Sequence, residues 1–407
     1  MGMPVEKIEV GFDLIDSPIA PFFVLDDPVK GKLDNTQYVI AGTIFYDITD
    51  RARNFSISRG KPREFAVYPA GIAEIQFNNH DRAFDPLYVD SPFYGNIIPR
   101  RSLRITSGTA VQFTGWVDDW NLAYLPDGDS VATAFCVDAT SLLATQKLSA
   151  GTPTPELSGA RINNILSQTT VDWPTGLRDI DTGAVEMGNQ PIAEGTIALS
   201  YLQKVAASEP GQIFIGKNGY VTYQDIRHTP TSSSLVTFGG TGIPFGGIEV
   251  VYGSELLYNE IVIGRSGGGT AIAVDLDSQT AYGIRNYTET DLLMASDLDA
   301  VDLAVLYADK YSRPESRVNA LEIFVHKLDP ADQTKVLDLE IGSICKIEFT
   351  PNGIGDAISQ YIEVIRIEHN VDPQIHRLQL GFMQITQASL VLDDAEFGKL
   401  DTYRLGR

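Results

Sequence analysis

Cysteine and histidine are scarce in this 407-residue chain, which holds 2 and 5 of them. Cys136 and Cys345 lie far apart, form no zinc or redox motif, and are expected as reduced core thiols, because a chain this long needs no disulfide to hold its core. His80, His228, His326, His369 and His376 are scattered without the i, i+4 spacing of a zinc peptidase, and ordinary strand and loop roles are expected. No apolar run approaches the roughly 18 residues of a membrane span, so no stable membrane insertion is expected. Basic clusters are missing too. Lys and Arg number 31 against 53 Asp and Glu, a formal charge of -22, which would repel a polyanion and excludes sequence-specific nucleic-acid binding. Met1–Ile15 lacks the basic start and apolar stretch of a secretory signal. Synthesis in a reducing cytoplasm is the expectation, and the sequons at Asn54 and Asn286 read as chance matches. No fixed period of about 20–50 residues marks a solenoid or propeller.

Catalytic motifs are likewise incomplete. Gly211, Gly216 and Lys217 in GQIFIGKN match the spacing of a phosphate-binding loop, but Ile213–Ile215 read as a strand and Asn218 stands where a metal-binding hydroxyl belongs. GGTGIPFGG carries Phe245 where a dinucleotide fingerprint needs its third glycine. RDIDTG and VDLDSQ lack the Gly and Glu of a calcium loop. The pairs Asp118–Asp119 and Asp393–Asp394 are expected as solvated surface, since neighbours on a strand point to opposite faces. No G-x-S-x-G elbow occurs. The reading is a non-enzyme with no catalytic, cofactor or metal residues.

What is present is a substantial core-forming content, 43% hydrophobic and 21% charged, with alternation as its main pattern. From Asp47 to about Val137, short alternating runs separated by Gly, Pro and Asn predict antiparallel strands: NFSISRG, AEIQFNN, SLRIT and AVQFTG. In VATAFCV, Val131, Thr133, Phe135 and Val137 share one face and Ala132, Ala134 and Cys136 the other, which predicts a central strand covered on both sides. DATSLLATQKL predicts a helix capped by Asp138 or Ser141, with Leu142, Leu143 and Leu148 on one broad face, and ARINNILSQ another. The Gly-, Pro- and Asp-rich stretch from Thr169 to Glu194 suggests a domain junction. GTIALSYLQKVAASEPG predicts a helix with Leu199, Leu202, Val205 and Ala206 inward. QIFIGKNGYVTYQD predicts a hairpin turning at Gly216–Gly219.

Strands are expected in IEVVYG, NEIVIGR and TAIAVDL, with a loop at Gly267–Gly269. Ser296 then opens a helix through Leu298, Val301, Val305 and Ala308. NALEIFVHKL, VLDLEIG, SICKIEF, QYIEVIRIEH and HRLQLGF predict a second β region.

From Asp47 to Trp120 one set of residues forms a longer pattern: Arg59 and Gly60; Ala70 and Gly71; Asn79, Asp81 and Arg82; Phe84 to Pro86; Ser91 and Pro92; Tyr94 and Gly95; Pro99 to Arg101; and Gly115 to Trp120. As scaffold, Asp85 and Pro86 can fix a turn, Gly95 and Pro99 punctuate a loop, and Arg82 offers a fork for a carboxylate. This pattern resembles the N-terminal part of minor tail proteins of long-tailed bacteriophages. YLQKVAASEPGQIFIGKNGYVTYQD, LEIGSICKIEF and IEVIRIEHNVDPQIHRLQLGF resemble the same baseplate-hub family.

The resemblance implies a mainly β fold with α+β parts, in which two β-barrel domains flank two smaller α+β domains. The expected division is 1–150 (barrel with an N-terminal extension), 151–245 (linker plus helix-hairpin α+β domain), 246–317 (α+β domain) and 318–407 (barrel and tail). It further implies a homotrimeric virion protein at the tail tip, assembled in the host cytoplasm. Its expected partners are the distal tail protein, the tail tube or tape measure protein, and a central fibre or spike, with DNA passing through the lumen. Several relatives continue into lysin modules, so a chain ending at Arg407 is expected to lack a built-in hydrolase. Two alternatives stand beside the hub: a distal tail ring protein, and a glycan-binding or glycan-hydrolysing tail enzyme. A trimer of such chains is also expected to line part of its channel with carboxylates.

Overall fold

The computed structural model describes residues 2–12, 44–228 and 236–385. Its first half is built from β1 (Glu6–Phe12), β2 (Ile44–Asp47), β3 (Ala52–Gly60), β4 (Ile72–Asn78), β5 (Ser102–Ser107), β6 (Ala110–Tyr124) and β7 (Ser130–Val137). These pair antiparallel in the order β3-β4-β7-β6-β5-β1-β2. The alternating runs behave as predicted, burying Phe55, Ile57, Ile75, Phe77, Leu103, Ile105 and Phe113 in one core with Ile8 and Val10 of β1.

The predicted two-sided cover of β7 is corrected. It lies centrally between β4 and β6, but Ala132, Ala134 and Cys136 face the core while Phe135 is 38% exposed. Large neighbours on β4 and β6 already fill the interior, so only the small face of β7 fits against them.

The middle of the chain gathers α1 (Thr140–Leu143), β8 (Glu156–Leu157), α2 (Ser158–Leu166), β9 (Arg178–Ile180), β10 (Glu186–Met187), α3 (Ala198–Ala207), β11 (Gln212–Ile215) and β12 (Val221–Gln224). The predicted hairpin forms as β11–β12, turning between Ile215 and Val221, and β9 joins it in parallel. The helix expected in DATSLLATQKL shrinks to the single turn α1; Asp138 accepts from the Thr140 amide with one carboxylate oxygen and from the amide of Gly71, just before β4, with the other. The stretch expected as a junction instead supplies Val171, Trp173, Met187 and Ile192 to the same core as α2 and α3.

Next come β13 (Val236–Phe238), β14 (Gly247–Tyr252), β15 (Glu260–Arg265), β16 (Thr270–Val274), α4 (Leu276–Tyr282), β17 (Asn286–Leu292) and α5 (Asp297–Tyr311). Ser296 caps α5 as predicted, accepting from the Leu298 amide. Ala300, Leu303 and Ala304 pack on the sheet β16-β15-β17, whereas Leu298 is 65% exposed and Val301 and Val305 are exposed as well. Alanines allow the helix to approach the sheet closely, and the larger side chains then project outward.

The last part holds β18 (Ser316–Phe324), α6 (Pro330–Leu337), β19 (Ile344–Phe349), β20 (Ile358–Val371) and β21 (His376–Gln384). VLDLEIG is not a strand: Val336 and Leu337 end α6, and the buried Leu339 and Ile341 follow it in a turn. The 14-residue strand β20 decides the architecture. Its first half pairs with β19, while Arg366–Val371 pairs with Gly60–Phe55 of β3. The two β halves are therefore one 13-stranded sheet, whose main path runs from β14 to β2. Among the described residues that path is open.

Candidate functional site

The segment between β3 and β4 is rich in charge and aromatics, KPREFAVYPAG, and it inserts where the other units meet. Phe65 enters an aromatic cluster, with ring centroids 4.6 Å from Tyr287 and 4.8 Å from Tyr311. Beside it, Glu64 accepts from Lys310 and from the Tyr311 hydroxyl of α5, both at 2.6 Å. Burial pushes the Glu64 carboxyl up, but Lys310 and Tyr311 outweigh this and hold it below the ordinary glutamate value. Tyr68 packs on Phe214, with ring centroids 5.3 Å apart, and donates to Gln212. Gln212 in turn donates to Glu363 of β20. Lys61, buried with its ammonium 5.0 Å from the Tyr68 ring centroid, has its pKa lowered by burial.

A second polar knot lies at the end of β3. Arg59, 4% exposed, donates to Glu340 at 2.7 Å and to the Ile215 carbonyl at 3.1 Å. The other Glu340 oxygen accepts from the Lys217 amide at 2.7 Å. The Lys217 ammonium, placed in sequence by a phosphate-loop spacing, instead donates to the carbonyls of Leu337, Asp338 and Leu339 at the C-terminal end of α6, where a cation satisfies unpaired carbonyls and the helix dipole. Gly60 has φ +108, and a Cβ there would meet the Ile365 carbonyl oxygen at 2.2 Å, so only glycine lets β3 approach β20 this closely. The Arg-Gly pair thus fastens three units together.

The residues from Asn79 to Arg101 form a loop held by its own bonds. Arg82 grips Asp85 at 2.7 Å and 2.9 Å, and Asp85 also accepts from the Leu87 amide and the Tyr124 hydroxyl, so the expected fork and turn are both present. Arg51 pairs with Asp81 at 2.8 Å. Buried Asn79 accepts from the Phe84 amide, and Ser91 donates to the Ala83 carbonyl. Phe84 stacks between Phe77 and Trp120.

The remaining motif residues are spread through the fold. Asp118 and Asp119 sit at a bulge in β6 and are both exposed, while Asp393 and Asp394 lie outside the described residues. Cys136 and Cys345 are free and buried, and burial raises both thiols. The histidines correct the expectation of scatter: His326, His369 and His376 converge. Among the described residues no group of three or more His, Cys, Asp or Glu is placed to hold a metal ion. A cleft of about 220 Å³ is lined by Asp179, Thr222, Gln224, His228, Glu340 and Ser343, among others. Its rim carries an Asp181–His228 pair at 2.8 Å, but the Thr222 hydroxyl donates to the Tyr220 carbonyl.

A similar fold occurs in solved structures. A 43 kDa tail protein of prophage MuSo2 from Shewanella oneidensis aligns over 84% of this chain and 96% of its own, with 14% identity and a TM-score of 0.53. A tail protein from Neisseria meningitidis aligns over 85% and 95%, with 12% identity and a TM-score of 0.59. This chain has the fold of phage tail proteins. No family model matches it, and no curated protein matches its sequence. Within the tail-protein fold, the residues that carried the sequence pattern are fasteners: Arg59 and Gly60 at the joint with β20, Gly71 on Asp138, and Arg82 and Asp85 within the loop. Sequence reasoning missed Glu64, Phe65, Tyr68, Lys217 and Glu340 as fasteners. The density of charged and aromatic residues in KPREFAVYPAG was the available signal for the first three.

Proposed function

We propose that this chain is a non-enzymatic structural component of a phage tail, acting at the tip or baseplate as a hub. In that role it joins the tail tube and distal tail ring to a central fibre or spike, as a homotrimer around a DNA exit channel. The observation that carries the reading is a shared fold along more than four-fifths of this chain and nearly all of each tail protein compared. The two β regions act as barrel-like units flanking the α+β units, with the division at 1–150, 151–245, 246–317 and 318–407 retained. The internal polar knots support a scaffold role, because they spend buried charge on joining units. The bare apolar stripe Leu298, Val301 and Val305 on α5, together with Ile272 and Val274 on β16, supports contact with further subunits.

Mass measurement of intact tail tips tests this reading, with three copies expected. Six copies would favour the distal ring, and a monomer in the mature particle would defeat both. Robust turnover of cell-wall glycan by the isolated chain, abolished by one carboxylate substitution, would favour the enzyme. A trimer whose channel is lined chiefly by Lys and Arg would overturn the acidic-lumen expectation.

A further inference from the structure

The first strand and the last hairpin, at opposite ends of the sequence, meet through a buried chain of titratable side chains. His369 on β20 and His376 on β21 lie with Nδ1 and Nε2 2.9 Å apart, and His376 Nδ1 is 3.0 Å from Glu6 of β1. Both rings are buried, at 2% and 0% exposure. The other Glu6 oxygen accepts from Ser107 of β5, and the His376 amide donates to His326 Nδ1 at 3.2 Å. Arg59 from β3 and Lys217 from the β11–β12 loop bring positive charge toward His369, and Glu340 binds both of them. Asp372 caps the hairpin turn, accepting from the Gln374 and Ile375 amides.

The bonding has a definite proton count. With both rings neutral, His376 Nδ1–H donates to the Glu6 carboxylate and its Nε2 accepts from His369 Nδ1–H, an assignment fixed by the network. One added proton is tolerated beside Glu6, with His369 changing tautomer. A second makes both facing nitrogens donors, so the 2.9 Å contact becomes a repulsion between two buried cations.

We propose that the Glu6–His376–His369 chain is an acid-released latch holding the N-terminal strand to the C-terminal hairpin. Burial lowers the His369 pKa, and His376, Arg59 and Lys217 lower it further. The unfolded or unlatched chain therefore binds more protons below the ordinary histidine value. The latch is at full strength above that value and weakens as pH falls through it toward the lower folded value.

Hydrogen exchange on the full chain at pH 7.5 and pH 5.0, corrected for intrinsic rates, tests the latch. Protection at the Gly108 amide, which donates to the Val5 carbonyl, and across Val371–Arg377 should fall about tenfold or more at the lower pH, the equivalent of one pKa unit. Ile75 and Ala134, on β4 and β7 in the middle of the same sheet, serve as controls and should change less than about twofold on the same scale. His369→Gln should flatten the difference. A uniform response in the native chain, or an unchanged difference in H369Q, overturns the proposal. If H369Q does not fold, Glu6→Gln keeps both rings and removes their anion, so release should move to higher pH. An unmoved midpoint would be equally fatal.

Discussion

The first β region and the α5 unit bury their side chains in opposite ways. On β4 and β5 the large apolar residues Ile75, Phe77, Leu103 and Ile105 point inward, and the polar Glu74, Gln76, Arg104 and Thr106 alternate with them on the other face. On α5 the alanines point inward, and Leu298, Val301 and Val305 point out. One pattern closes a core within the chain; the other leaves apolar surface that a single chain does not cover. Hydrophobic periodicity identifies which residues share a face, but it does not say whether the partner of that face belongs to the same molecule.

The comparison can be broken most forcefully in the first region. Phe77→Ala should cost about 3–5 kcal/mol of unfolding free energy, because a fully buried ring leaves a cavity that its neighbours fill only in part. A loss under about 1 kcal/mol in urea unfolding would contradict the closed-core description.

The joint between the regions should respond less. Lys310→Met strands the Glu64 carboxylate and should cost about 3 kcal/mol, the low end for such pairs because Lys310 is 28% exposed. Because the Glu64 pKa is held below its ordinary value, its contribution is present above that value and is lost as pH falls through the lower folded one. The native chain should therefore show an acid loss of stability that Lys310→Met reduces, as read from thermal midpoints across pH.

The smallest effect on the isolated chain is expected at the exposed stripe. Replacing both Leu298 and Val305 by Gln should change its stability by less than about 0.5 kcal/mol per site, yet reduce the fraction of the proposed trimer measured by analytical ultracentrifugation. A large loss of monomer stability would mean that the stripe belongs to the chain's own core. Unchanged assembly would remove it from the subunit interface.

Much of the strand content was legible because alternation is a local property: β3 to β6, the β11–β12 hairpin and the Ser296 cap follow from neighbouring residues alone. The strand β1 and helix α6 carry no such local signal, and VLDLEIG reads as a strand because its buried apolar residues alternate without pairing to any neighbour. Of the candidate site, Arg59, Gly60, Arg82 and Asp85 stood out as a pattern, and the last two also as a fork and turn. Lys217 was noticed for a spacing unrelated to its role at the end of α6.

The sequence by itself determined a core-forming composition, a strongly acidic balance, the mainly β character and the turns that punctuate it, since these depend on residue type and spacing. Only the tertiary structure decided that β3 and β20 merge the two β regions into one sheet, that Glu64 and Phe65 reach α5, and that three scattered histidines meet. The first two are contacts between residues hundreds of positions apart, and the third joins residues 7 and 50 positions apart across a hairpin and its neighbouring strand; all are set by which surfaces remain available once the local elements have formed.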